Sequence, residues 1–154
     1  MSHRAQPAVV AEDADVAQWR LAATARSVPE ARRHVVALLE QWQLDALVDT
    51  ARLLTSELVT NAVLHARTDM VLTVEERDGG VRIAVTDHSP VSPALRHHSA
   101  TSTTGRGLRL LNQLADNWSV EEDNGGKTVW FTLTSGRDPW ADFDAFEALE
   151  QAEA

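Results

Sequence analysis

The sequence predicts an α+β fold, a two-layer sandwich in which helices cover one face of a mixed, mostly antiparallel sheet. Three observations predict it. Two stretches of alternating hydrophobicity are each folded back at an Asp or Asn followed by two glycines, Asp78-Gly79-Gly80 and Asn124-Gly125-Gly126, the chemistry of β-hairpin turns. Two segments between residues 27 and 66 carry apolar residues at helical spacing. The resulting order is strand, two helices, hairpin, loop, helix, hairpin, which suits helices packed against one side of a sheet.

Each element has its own local reason. Trp19, Leu21 and Ala23 alternate with polar or small neighbours and read as a first strand. Ser27-Val28-Pro29-Glu30 announces a helix, with Ser27 as cap, Pro29 in the first turn and Glu30 as the carboxylate of a capping box. Ala31, Val35, Leu38, Leu39 and Trp42 then make one apolar stripe. A longer helix is expected over residues 45–66, with Leu47, Ala51, Leu54, Leu58 and Ala62 on one face. The period changes to two at Asp69, where Met70, Leu72 and Val74, then Val81, Ile83 and Val85, alternate about the first turn. Residues 88–104 are rich in Ser, Thr, Pro and His and read as a functional or mobile loop. Residues 105–115 read as a helix carrying Leu108, Leu111 and Leu114, and residues 118–134 as the second hairpin.

The termini differ in character. Residues 1–15 are polar, Ala-rich and aperiodic and are expected to form a flexible tail. Residues 16–135 form the one expected domain, and residues 136–154 an acidic segment with a short helix carrying Trp140, Phe143 and Phe146. Six carboxylates against Arg137 place −5 of the formal charge of −9 there, so the domain itself is only mildly acidic. That overall charge argues against direct nucleic-acid binding, which rests on counterion release by basic residues. The absence of cysteine excludes disulfides, thiolate nucleophiles and Cys-ligated zinc. No apolar run is long enough to span a membrane and no signal peptide is visible, so a cytoplasmic location is the expectation.

Polar residues that share phase with apolar stripes point to a site. Asn61 and His65 fall on the helix face of Leu47, Leu54 and Leu58, and Glu57 lies on its flank one turn before Asn61. Either this stripe edge meets solvent, or it lines a pocket. Asp87 has the parity of Val81, Ile83 and Val85 and so points to the buried side of its strand, where an acceptor-only carboxylate calls for donors such as an amine; a loop-capping Asp facing water is the alternative. Thr104-Gly105-Arg106-Gly107-Leu108 opens a helix with two glycines, whose bare backbone N–H groups suit a phosphate. Together these features describe a nucleotide pocket. A Ser–His–Asp hydrolase built from Ser56 or Ser89 with His65 and Asp87 lacks a nucleophile elbow, and His88, His97 and His98 lack the spacing of a zinc motif.

The segments SELVTNAVLHA, VRIAVTD, TTGRGLRLLNQLAD and GGKTVWFTL, in that order, resemble the histidine-kinase-like ATPase (GHKL, Bergerat-fold) superfamily, and within it the bacterial anti-sigma-factor serine/threonine kinases. The resemblance covers residues 19–133. It implies a Bergerat ATP-binding fold with ATP and Mg²⁺ as cofactors. It further implies Glu57 as general base, Asn61 as the magnesium ligand, and Asp87 as acceptor of the adenine amine. Gly105, Arg106, Gly107 and Leu108 fall at the phosphates, and Lys127 stands where relatives commonly place a Thr that contacts adenine. The implied partners are a sigma factor and an anti-sigma-factor antagonist, the latter as phosphoacceptor. Dimers are common among these relatives, so the resemblance leaves a homodimer open.

The sequence also departs from the family. Its first glycine box, Asp-x-Gly-x-Gly, reads Asp87-His88-Ser89-Pro90-Val91 here, with both glycines replaced. A second expectation therefore stands beside the kinase, a non-catalytic or weakly nucleotide-binding regulator of the same fold that acts through protein contacts.

Overall fold

A computed structural model of the chain describes residues 15–88, 105–123 and 125–136. The alternating segments pair as one five-stranded sheet of β1 (Val16–Leu21), β2 (Met70–Arg77), β3 (Gly80–Asp87), β4 (Asn117–Asp123) and β5 (Gly126–Thr134). The strand order is β1-β2-β3-β5-β4. All four pairings are antiparallel, so the expected mostly antiparallel sheet holds no parallel pair among the described residues. β1 begins three residues before Trp19 and ends at Leu21, leaving Ala23 in the turn that follows.

Register puts most of the apolar residues of the strands on one face, with Val71, Ala84 and Trp130 on the other. One row across the sheet runs Ala17, Val74, Ile83, Phe131, Trp118, and the next runs Trp19, Leu72, Val85, Val129, Val120. A one-residue slip of any strand would turn its set to the other side, which is why this burial fixes the pairing. The opposite face carries polar cross-strand contacts. Thr86 and Thr128 hydroxyls are 2.9 Å apart, Arg82 lies 4.9 Å over the Trp130 ring, and Trp130 Nε1 donates to Glu121 at 3.1 Å.

Three helices cover the apolar face: α1 (Ser27–Gln41), α2 (Val48–His65) and α3 (Gly105–Leu114). α1 buries Ala31, Val35 and Leu39 at four-residue spacing. Its start differs from the expected capping box. Arg26 is the cap residue, no side chain caps the helix, and the buried Ser27 hydroxyl instead donates to the Ala22 carbonyl at 2.5 Å. The turn formed by Thr24 N–H on Ala22 and Ser27 N–H on Thr24 brings that carbonyl within reach, and Glu30 lies beside His34 rather than at a cap. A 3-10 turn, Asp45–Leu47, leads into α2, which buries Ala51, Leu54, Leu58, Val59 and Ala62. The expected single helix over 45–66 is thus a 3-10 turn plus a helix.

The hairpin turns follow their glycines. Gly79 holds φ +68°, the left-handed region that a side chain disfavours. Among the described residues no helix is long and apolar enough to cross a membrane. The expected N-terminal tail, the loop with Ser89 and Val91, and the acidic C-terminal helix lie outside the described residues.

Candidate functional site

At the end of the sheet where β3 stops and β5 starts, a cleft lies between the sheet, α2 and α3. Its floor is sheet, formed by Val85, Val120 and Val129. Its sides are Leu58 and Ala62 of α2 and Leu108 and Leu111 of α3. Polar groups enter this apolar enclosure from three elements: Glu57 and Asn61 from α2, Asp87 from β3, and Lys127 from β5, while Gly107 brings bare backbone from the start of α3. The cleft is narrow and opens to solvent at its mouth.

The helix period explains the α2 contribution. Leu54, Leu58 and Ala62 face the sheet and are buried, while Glu57 and Asn61, i and i+4 on the stripe's flank, are half-buried and reach the cleft together. A carboxylate and an amide oxygen one turn apart are hard oxygen donors suited to a divalent cation and a nearby hydroxyl. His65, one turn on, is half-buried and does not line the cleft.

Strand parity explains Asp87. It is the last residue of β3, on the same face as Val81, Ile83 and Val85, and only 3% exposed. Among apolar neighbours such a carboxylate is costly unless hydrogen-bond donors meet it. Opposite it in register stands Lys127, which is flanked on its other side by Glu122. The close approach here is built on Gly126, at φ +150°, where a Cβ would lie 2.0 Å from the Asp87 carbonyl oxygen.

Gly105, Arg106, Gly107 and Leu108 form the first turn of the ten-residue α3, with Gly107 buried against the cleft. The first backbone N–H groups of a helix point outward from its start, where an anion is stabilised. The cleft therefore offers, from one end to the other, an acceptor for an amine, an apolar slot for a ring, helix-start amides for phosphates, and a carboxylate–amide pair for a metal and a hydroxyl. These residues fit ATP with Mg²⁺ by the chemistry of the donor set.

Six of the eight residues expected at the site line this cleft: Glu57, Asn61, Asp87, Gly107, Leu108 and Lys127. Gly105 and Arg106 are placed next to it by backbone alone. Sequence reasoning did not single out Val85, Val120, Val129 or Leu111 as lining the cleft, although the parity Val85 shares with Asp87, and Val129 with Lys127, carried the signal. Ser56 is turned elsewhere. It accepts from Arg32 Nη1 at 3.1 Å, donates to the Arg52 carbonyl at 2.9 Å and borders a separate groove. That separation removes the serine-hydrolase alternative for Ser56. No cluster of potential metal-ligating side chains occurs among the described residues. His88 is exposed with its backbone N–H on Thr68 Oγ1 at 3.2 Å, and His97 and His98 lie outside the described residues.

A family model, that of the histidine kinase-like ATPase domain, matches residues 21–133, which span every residue lining the cleft. No curated protein matches the chain.

Proposed function

The chain belongs to the histidine kinase-like ATPase family, and from that premise we propose that it is an ATP-binding regulator of the anti-sigma-factor serine/threonine kinase type. It would bind a sigma factor and phosphorylate an anti-sigma-factor antagonist in the cytoplasm. The observation that carries this reading is the placement of Glu57 and Asn61, one helical turn apart, in the same cleft as the buried Asp87. Asp87 accepts from the base amine and sets the ring between Val85, Val129 and Leu111. The α3 start holds the phosphates through backbone amides, and Asn61 holds Mg²⁺ by its side-chain oxygen. When bound, Mg²⁺ neutralises charge that builds on the phosphoryl oxygens. Glu57 orients the acceptor Ser or Thr hydroxyl and takes its proton as the oxygen attacks the γ-phosphorus, with ADP leaving.

A second reading is favoured by one sequence feature, the Ser89 and Val91 that replace the glycines of the first glycine box. On that reading the fold acts through protein contacts without phosphate transfer. Thermal melting separates the two. A ligand held by the native state alone raises stability by about 2.7 kcal/mol at a hundredfold excess over its Kd, so magnesium-ATP raises the melting temperature by several degrees if the first reading holds. Capture of the bound proteins from the source cell then tests the partners. A sigma factor or its antagonist supports the assignment, and their absence from a capture that retains other proteins counts against it.

A further inference from the structure

We propose that the acidic segment 137–154 folds back as an amphipathic helix over the open face of the sheet, the face opposite the three helices. The contact lies away from the nucleotide cleft and is independent of nucleotide binding.

The path of the chain supplies the first support. β5 is an inner strand, between β3 and β4, and it ends at Thr134. The backbone N–H and the hydroxyl of Ser135 both donate to the Gly79 carbonyl, at 2.7 and 2.9 Å, which ties the exit point to the β2–β3 turn. Gly136 follows at φ +91°, a conformation open to glycine in which the chain can reverse. The buried face is already filled by α1, α2 and α3, so the open face is the one left to a returning segment. Length agrees. As a helix, residues 138–154 would span about 25 Å, against about 30 Å for the nine residues of β5.

The chemistry of the two surfaces supplies the second support. On the open face, Val71 and Trp130 are half-buried, and Ala84, paired in register with Trp130, is 4% exposed. In the segment, Trp140, Phe143, Phe146 and Leu149 recur at every third position and run along one side of a helix. Aromatic side chains of that size gain most when removed from water.

Charge is complementary as well. The open face carries Arg20 and Arg82, and neither makes an ion pair among the described residues. Arg82 lies 4.9 Å over the Trp130 ring. The carboxylates nearby are engaged, Glu75 with Arg77 and Glu121 with the Trp130 indole. The uncommitted charge of the face is therefore positive, and the segment brings a formal −5. Guanidinium groups beside an aromatic ring suit carboxylates set next to apolar side chains.

Paramagnetic relaxation in the full chain tests the contact. The sequence holds no cysteine, so Ala148→Cys gives a single site for a nitroxide label, on the side of the segment away from Phe143 and Phe146. Selective loss of the amide signals of Ala84, Thr128 and Trp130 is expected, with those of Arg33 and Ala37 on the helical layer retained. Arg82→Gln and Phe143→Ser, each added to the labelled chain, are expected to recover most of the lost intensity, while the spread of the remaining signals shows that both variants are folded. A mixture of isotope-labelled wild type with spin-labelled chain at natural abundance is expected to show no loss. Loss confined to the mixture would mean that a second copy covers the face, and the proposal would be wrong. It would be equally wrong if the loss fell on the helical layer, appeared nowhere, or persisted unchanged in both variants.

Discussion

Asn61, on the helical layer, and Asp87, at the end of a central strand, line one cleft between them. They lie 26 positions apart in sequence, and they meet because α2 runs over the buried face of β3 with its last turns above the strand's end. The two-layer fold thus brings a metal-suited amide and an amine-suited carboxylate to opposite sides of one apolar slot.

Asn61→Ala removes the side-chain oxygen assigned to Mg²⁺. The variant is expected to fold, since Asn61 is half-buried and sits on the flank of the α2 stripe. Titration of ATP with and without magnesium should show that the cation strengthens binding to wild type and has little effect on the variant.

Glu57→Gln keeps the shape and hydrogen-bonding reach of the side chain but not its basicity. General-base contributions are typically 10²–10⁴-fold. Turnover of the γ-phosphoryl group is therefore expected to fall by about that factor, while ATP affinity stays within about threefold. Equal losses of affinity and turnover would place Glu57 in binding instead.

The sequence and the structure agree most where the pattern is periodic. Met70, Leu72 and Val74 against Val81, Ile83 and Val85 fix the central hairpin, and the same parity carries Asp87 to the buried side. The helical phase of Leu54, Leu58 and Ala62 likewise places Glu57 and Asn61 at the cleft edge. What local pattern does not supply is long-range. Cross-strand partners such as Lys127 for Asp87 depend on which strands are neighbours, and the β3–β5 pairing bypasses β4. The start of α1 is a second case. Ser27 has the chemistry of a cap, but the turn over residues 22–27 that precedes the helix is not written in a capping motif, and the hydroxyl goes to the Ala22 carbonyl five residues back.

Gly126→Ala links fold and site. The new Cβ would lie 2.0 Å from the Asp87 carbonyl oxygen, at a φ of +150°. Relief requires β5 to move away from β3, at a cost of about 2–4 kcal/mol. The melting temperature is expected to fall by roughly 6–20 °C on the usual size scaling, and nucleotide binding to weaken with it because the end of the cleft between β3 and β5 opens.

His34 confers a pH dependence on stability. Its ring stacks on Trp19 with centroids 4.3 Å apart and planes 7° from parallel, and Nε2 is buried 3.7 Å from the Glu30 carboxylate. Burial holds its pKa below the ordinary histidine value, with Glu30 opposing that shift and Arg33 adding to it. The unfolded chain therefore binds the proton at a higher pH than the folded one, so stability falls as pH drops through about 6.5 and levels off below the folded pKa. Denaturant unfolding of wild type and His34→Gln across pH 5 to 8 should show this component in wild type and its loss in the variant.

Calorimetric titration with magnesium-ATP, on wild type beside Asp87→Asn, tests the central claim most directly. Single-site binding is predicted for wild type, with saturation below millimolar ATP and loss of that binding in Asp87→Asn. No measurable heat and no change in melting temperature at millimolar ATP, or equal binding by the two proteins, would contradict a nucleotide site at this cleft.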